Sequence, residues 1–231
     1  MSMKQALVVL FSLLSLTSIG HENHLSARMN EKITAPDRAA TYASVFDELG
    51  LEMRGLSRSV YEYALRGMQK MPGARPVLSI VDMSQPSNRK RLYVIDLESR
   101  KLLFNTYVAH GRNSGVLLAE KFSNTNSSYQ SSLGFYKTLG TYSGKHGLSL
   151  QLQGLERGFN DNAFSRAIVM HGASYVCEDI IKNTGRLGRS QGCPAISNAE
   201  SKPIIQAIKG GSCLFIYYPD PTYLKTSSFL G

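Results

Sequence analysis

The feature that most limits the fold is a change of hydrophobic rhythm near Pro76. Before it, apolar residues recur at helical spacing; after it, they come in short β-branched or aromatic runs. Ala39, Tyr42, Ala43 and Phe46 mark one helix. It opens at Thr34-Ala35-Pro36-Asp37, where a threonine stands three residues before an acid and proline comes early. A second helix spans 57–70, with Val60, Tyr61, Ala64, Leu65 and Met68 on one side. Runs at 77–81, 92–95 and 102–108 then read as strands, the last two forming a hairpin over the polar stretch 96–101. Strand-like runs return at 135–142, 148–152, 167–170 and 214–218, with short helices near 177–183 and 199–209. The pattern predicts a mainly β (α+β) domain behind a helical N-terminal section.

Residues 110–134 are rich in Ser, Asn and Gly and carry no period, which in a compact domain marks a functional or a disordered segment. At the start of the chain, Lys4 precedes the apolar run 6–16, and small or polar residues follow to Gly20. That is the layout of a secretory signal, too short to span a bilayer comfortably. No other stretch approaches the ~20 apolar residues of a transmembrane helix. The expected organisation is a signal peptide at 1–20, a flexible leader at 21–33, a helical section at 34–75, a main β domain at 76–222 and a tail at 223–231. The mature protein is therefore expected to be exported, periplasmic or secreted, with no integral membrane segment and no lipidation cysteine near the signal's end.

The formal net charge is +9, and loss of Lys4 with the signal leaves +8. Such a balance suits polyanionic surroundings, including a carboxylate-bearing polymer. Nothing in the sequence selects nucleic acid: basic residues are scattered, and the one cluster, Arg89-Lys90-Arg91, reads as a solvated turn. The three cysteines, Cys177, Cys193 and Cys213, are an odd number for an exported protein, so at least one thiol is expected to be free of an intramolecular partner.

Local sequence says which cysteine to examine. The apolar run 167–170 ends in His171-Gly172, placing an imidazole where rigid strand meets open loop. Cys193 lies in the turn Ser190-Gln191-Gly192-Cys193-Pro194, where Gly192 permits close backbone approach and neighbouring amides can face a developing oxyanion. A thiol attacks at neutral pH only with a lowered pKa or an adjacent base, and an imidazole meets that need. Paired so, Cys193 is expected to titrate well below the ~8.5 of a free cysteine. Cys177 and Cys213 read as packing residues, with a disulfide between them the lesser alternative.

These residues resemble the YkuD-like L,D-transpeptidase superfamily, whose signature is a His-Gly strand end followed by a Ser-His-Gly-Cys turn. The murein L,D-transpeptidase catalytic domain branch is the most similar. The resemblance covers roughly residues 35–220 and includes 109–113, 144–147, 158–161, 186–189 and 209–211. It implies a YkuD-like β-sandwich catalytic domain with short helices. It also implies that Cys193 is the nucleophile and His171 the base, oriented by the Gly172 carbonyl, with the Gly192 and Cys193 amides as oxyanion hole. Arg189, Ser190, Gln191, His146 and Arg112 are the candidates for holding substrate, the arginines because guanidinium pairs bidentately with carboxylate. The implied substrate is a peptidoglycan stem peptide, cross-linked or trimmed through a Cys193 thioester, with no metal and no organic cofactor. Two departures stand out: Gln191 occupies the position where most of the superfamily has His, and twenty-one residues, Gly172 to Gly192, separate His171 from Cys193.

Alternatives remain open on sequence alone. Gln191 motivates a wall-binding module that has lost activity, and water in place of an amine acceptor would make an L,D-carboxypeptidase. A metallopeptidase on His110, His146, His171 and Cys193 is a third possibility, although none of these falls at a familiar metal-ligand spacing. The oligomeric state is not legible.

Overall fold

A computed structural model describes residues 35–231, and the backbone alone for 35–40. The expected signal, leader and Thr34 cap lie outside the described residues. Helix α1, Ala35–Glu48, buries Val45 and Phe46. A 3-10 turn at Glu52–Arg54 leads into α2, Arg58–Gln69, capped by Ser57, whose Oγ accepts from Val60 N at 3.4 Å. As the periodicity requires, α2 buries Val60, Tyr61, Ala64, Leu65 and Met68 on one side.

Eight strands follow: β1 Arg75–Asp82, β2 Leu92–Asp96, β3 Lys101–Thr106, β4 Gly134–Gly144, β5 Gly147–Gly154, β6 Val169–Ala173, β7 Ala195–Ser197 and β8 Ser212–Tyr217. All belong to one continuous sheet in the order β3-β2-β1-β8-β4-β5-β6-β7. β1 is buried from Val77 to Asp82 and β8 throughout, as fits central strands covered on both faces. Helices α3 (Glu178–Thr184), α4 (Asn198–Ile208) and α5 (Pro221–Thr226) complete the fold. The structure is mainly β with short helices. Among the described residues no helix is long and apolar enough to cross a membrane.

Two local readings change. His171 does not end its strand: it is the third of five residues in β6, opposite Ser149 of β5 and Ala195 of the short parallel strand β7. Arg91 is no solvated turn residue. It is fully buried, with Nε and Nη2 donating to the Val108 carbonyl, Nη1 to the Gln85 carbonyl, and Nη2 2.8 Å from His110 Nδ1. The tail at 223–231 packs on the domain: Tyr223, Ser227 and Leu230 are buried and Phe229 stacks on Phe135 at 5.1 Å.

Glu156 holds that last segment. Its buried carboxylate accepts from Phe135 N (2.7 Å), Tyr223 Oη (2.9 Å) and Ser227 Oγ. Burial pushes its pKa up, and those three donors oppose the shift. Glu156→Ala would leave three donors without an acceptor at about 1–3 kcal/mol each. The expected loss is at least about 3 kcal/mol in urea unfolding, partly recovered in Glu156→Gln, which keeps one oxygen acceptor.

Candidate active site

The parallel pairing of β6 with β7 brings the two sequence-distant groups together. His171 is level with Ala195, so two residues earlier Cys193 is level with Val169. Val169 N lies 3.5 Å from Cys193 Sγ and can donate to it. On the other side, residues 109–111 run alongside the cysteine turn through bridges Ala109 to Ala195 and Gly111 to Ser190. Ala109, Ala173, Val176, Leu187 and Ala195 form a small core under this junction. The turn is thus clamped between β6 and an extended strip of the irregular segment.

Cys193 and His171 share a cleft of about 770 Å³, also lined by His146, Gln191, Tyr175 and Arg166. A carbonyl oxygen only accepts, so the 2.8 Å contact between His171 Nδ1 and Gly172 O fixes the proton on Nδ1. Nε2 keeps its lone pair. His146, exposed on the β4–β5 turn, stacks on His171 with centroids 4.3 Å apart and planes 21° from parallel.

Burial pushes the His171 pKa below its ordinary value; the Gly172 hydrogen bond opposes this, and His146 and Lys145 add to it. Cys193 moves the other way from what the sequence led us to expect. Burial pushes its thiol up, against the Val169 amide, the charges of Arg166 and Lys145, and its own N–H. Both shifts favour the uncharged form, thiol for Cys193 and imidazole for His171.

Gly192 adopts φ 123°, and a Cβ there would lie 2.8 Å from the Gln130 carbonyl oxygen, so the turn needs glycine. Its amide, however, is not free for an oxyanion: it donates to Ser190 Oγ at 3.1 Å, while Ser190 Oγ donates to Cys193 O at 2.6 Å. Ser190 thus braces the turn rather than offering its hydroxyl to the cleft, and its two-residue offset from Gly192 is the reason. Gln191 is exposed in the cleft.

The expected carboxylate-binding arginines are placed differently. Arg112 is outside the cleft, over the Tyr129 ring at 4.0 Å, in a neighbouring recess of about 410 Å³. Arg189 borders both spaces, with Nη1 donating to the carbonyls of Arg112 (3.1 Å) and Gly115 (3.0 Å). Arg166, which no sequence pattern marks, lines the cleft instead. Its guanidinium donates to Ser123 O, Ser132 Oγ, Ser128 Oγ and Gln130 O at 2.6–3.1 Å and so staples the irregular segment beside Cys193. Four non-glycine residues among those described have positive φ; three of them, Ser127, Tyr129 and Ala167, line this cleft. Backbone held in sparsely populated conformations gathers at working sites.

His110 is buried between Arg91 and the Gly115 carbonyl, outside the cleft, with burial and the Arg91 charge pushing its pKa down to about 4. Among the described residues no three of His, Cys, Asp and Glu are grouped to hold a metal. All three cysteines are unpaired; Cys213 is buried in β8 and Cys177 half-buried before α3.

A mainly β domain with a cysteine and a histidine in one open cleft is the class these features define. The sequence profile of the L,D-transpeptidase catalytic domain matches residues 52–217, and the chain belongs to that family. No curated protein sequence matches the chain. Similar solved structures include an L,D-transpeptidase from Mycobacterium smegmatis (12% identity, 62% of this chain and 59% of that one, TM-score 0.38). Another is the LD transpeptidase LdtMt1 in complex with imipenem (10%, 62% and 59%, 0.38). A third is an L,D-transpeptidase from Stackebrandtia nassauensis (16%, 79% and 78%, 0.35). The chain spans about three fifths of the length of the first two.

Proposed function

We propose that this chain is an exported cysteine-dependent L,D-transpeptidase acting on peptidoglycan stem peptides, with Cys193 as nucleophile and His171 as general base. The observation that carries the reading is the fixed tautomer of His171, whose Nε2 lone pair belongs to the same cleft as the Cys193 thiol. Burial favours the uncharged form of each group, and in this reading proton transfer from sulfur to Nε2 accompanies attack rather than preceding it.

In the first transfer, sulfur bonds to the carbonyl carbon between an L-centre and the terminal D-residue. The oxyanion is met by the Cys193 amide, since the Gly192 amide is engaged. The C–N bond then breaks, Nε2 returns the proton to the departing amine, and a thioester remains. In the second transfer an acceptor amine gives its proton to Nε2 and its nitrogen to the carbonyl, and the thiol is regenerated. Water in place of the amine yields a trimmed stem. Arg166, Lys145 and Arg189 make the cleft wall cationic, which suits a substrate bearing carboxylates. Export rests on Lys4, the apolar run 6–16 and the small residues to Gly20.

Incubation of the intact protein with purified stem tetrapeptide, followed by mass spectrometry, tests the proposal. The expected result is release of D-alanine and a protein mass raised by one acylated tripeptide at Cys193. Unchanged peptide and protein masses would count against catalysis and favour a wall-binding module.

A further inference from the structure

The loop between β3 and β4 carries a feature that the cleft does not use. Val116, Leu117 and Leu118 are consecutive and exposed, at 60%, 39% and 39%. Three of the seven exposed large hydrophobic side chains among the described residues thus stand at one spot. The loop's backbone is held. The Ser114 carbonyl closes its base by accepting from the amides of Glu120 (2.8 Å) and Lys121 (3.0 Å), and the Leu117 carbonyl accepts from Ser87 N at 2.9 Å. The Gly115 carbonyl accepts from Arg189 Nη1. A Cβ at Gly115 would fall 1.9 Å from the Leu118 carbonyl oxygen, so only glycine lets the loop close this tightly.

Cations stand beside the tip. Arg112, Lys121 and Arg189 share its recess with one acid, Glu120. Arg89 and Lys90, both exposed, follow Ser87 on the loop tied to Leu117 but line a separate recess, where Lys90 lies over the Tyr107 ring at 5.8 Å. None of these five cations forms an ion pair among the described residues. An aliphatic tip fixed in place, with Arg112, Lys121 and Arg189 beside it and none of them in an ion pair among the described residues, fits a surface with acyl chains beneath anionic headgroups. An apolar pocket on a protein would account for the aliphatic side chains but not for the adjoining charge.

We infer that the 115–118 loop docks this protein on an anionic lipid surface. The three side chains enter the acyl boundary, and the adjoining Arg112, Lys121 and Arg189 meet headgroup phosphates. Arg189 borders both the recess and the cleft, so docking brings the mouth of the cleft to that surface. The inference does not depend on the reaction assigned to Cys193.

The chain has no tryptophan, so Leu117→Trp in the full chain installs a single local reporter. Phe164→Trp is the control, because Phe164 is 58% exposed but lies in neither the tip nor its recess. Vesicles of phosphatidylglycerol with phosphatidylcholine should shift the 117 emission to shorter wavelength, with quenching by brominated acyl chains and reversal by high salt. Phosphatidylcholine alone should not, and the 164 reporter should stay unmoved. Val116→Ser/Leu117→Ser/Leu118→Ser should lower the fraction of chain bound to anionic vesicles about tenfold. Unchanged emission at 117, an equal shift at 164, or an equal shift with neutral vesicles would overturn the inference.

Discussion

Cys193→Ala is expected to abolish D-alanine release from a stem tetrapeptide, a fall of at least about 10⁴-fold, because no other group can form the thioester. Cys177→Ala and Cys213→Ala should leave turnover largely intact. Cys213 is buried in β8 opposite Lys137, and Cys177 lies outside the cleft residues, so neither thiol meets substrate. Truncating Cys213 should instead cost stability, about 1 kcal/mol for a small buried side chain. The fold of each variant is checked by thermal unfolding before rates are compared. Equal losses of turnover in all three folded variants would remove Cys193 from its assigned place.

His171→Ala is expected to lower kcat/KM by about 10²–10⁴-fold, the usual worth of a positioned base. The base must be neutral to accept the thiol proton. Burial pushes its pKa below the ordinary ~6.5, so the acidic limb of the wild-type pH profile should lie below that value and vanish in the variant. Alkylation of the resting thiol by iodoacetamide should behave differently. Burial pushes Cys193 up, so alkylation should be slow near pH 6 in both proteins and accelerate only above the free-thiol range. Collapse of turnover with a nearly unmoved alkylation profile is the signature of a base that acts only when substrate is bound. Near wild-type turnover in folded His171→Ala would sink the assignment, and fast wild-type alkylation at pH 6 would restore a preformed ion pair.

The long strands and the helix α2 were legible because their side chains face one environment over several residues: Val77 to Val81 in a buried strand, Val60 to Met68 on one helix side. The short strand β7 was not legible. Ala195-Ile196-Ser197 is too brief to show a period, and without β7 the position of His171 within β6 cannot be read. The His171 and Cys193 pair was visible because each stands beside a glycine in a recognisable run. The surroundings of the pair were not visible, because they depend on contacts across 34 to 43 positions, such as those of Arg166 with Ser132 and Ser123. Likewise Arg91, in a run of three basic residues, gives no sign that carbonyls at Val108 and Gln85 await it. The engagement of the Gly192 amide by Ser190 was available in principle, since a serine two residues before an amide is a common local partner.

The strand order has a consequence for synthesis. β8 joins two subsheets, pairing parallel with β1 and antiparallel with β4. Until Ser212–Tyr217 leaves the ribosome, β1–β3 and β4–β7 are separate ribbons, each showing an open hydrogen-bonding edge along a strand meant for the interior. A nascent chain halted before Ser212 therefore offers two sticky edges to its neighbours on the polysome, and it is the natural client of a holdase. Closure waits on a contact between residues 75–82 and 212–217, the kind of distant pairing that makes folding slow.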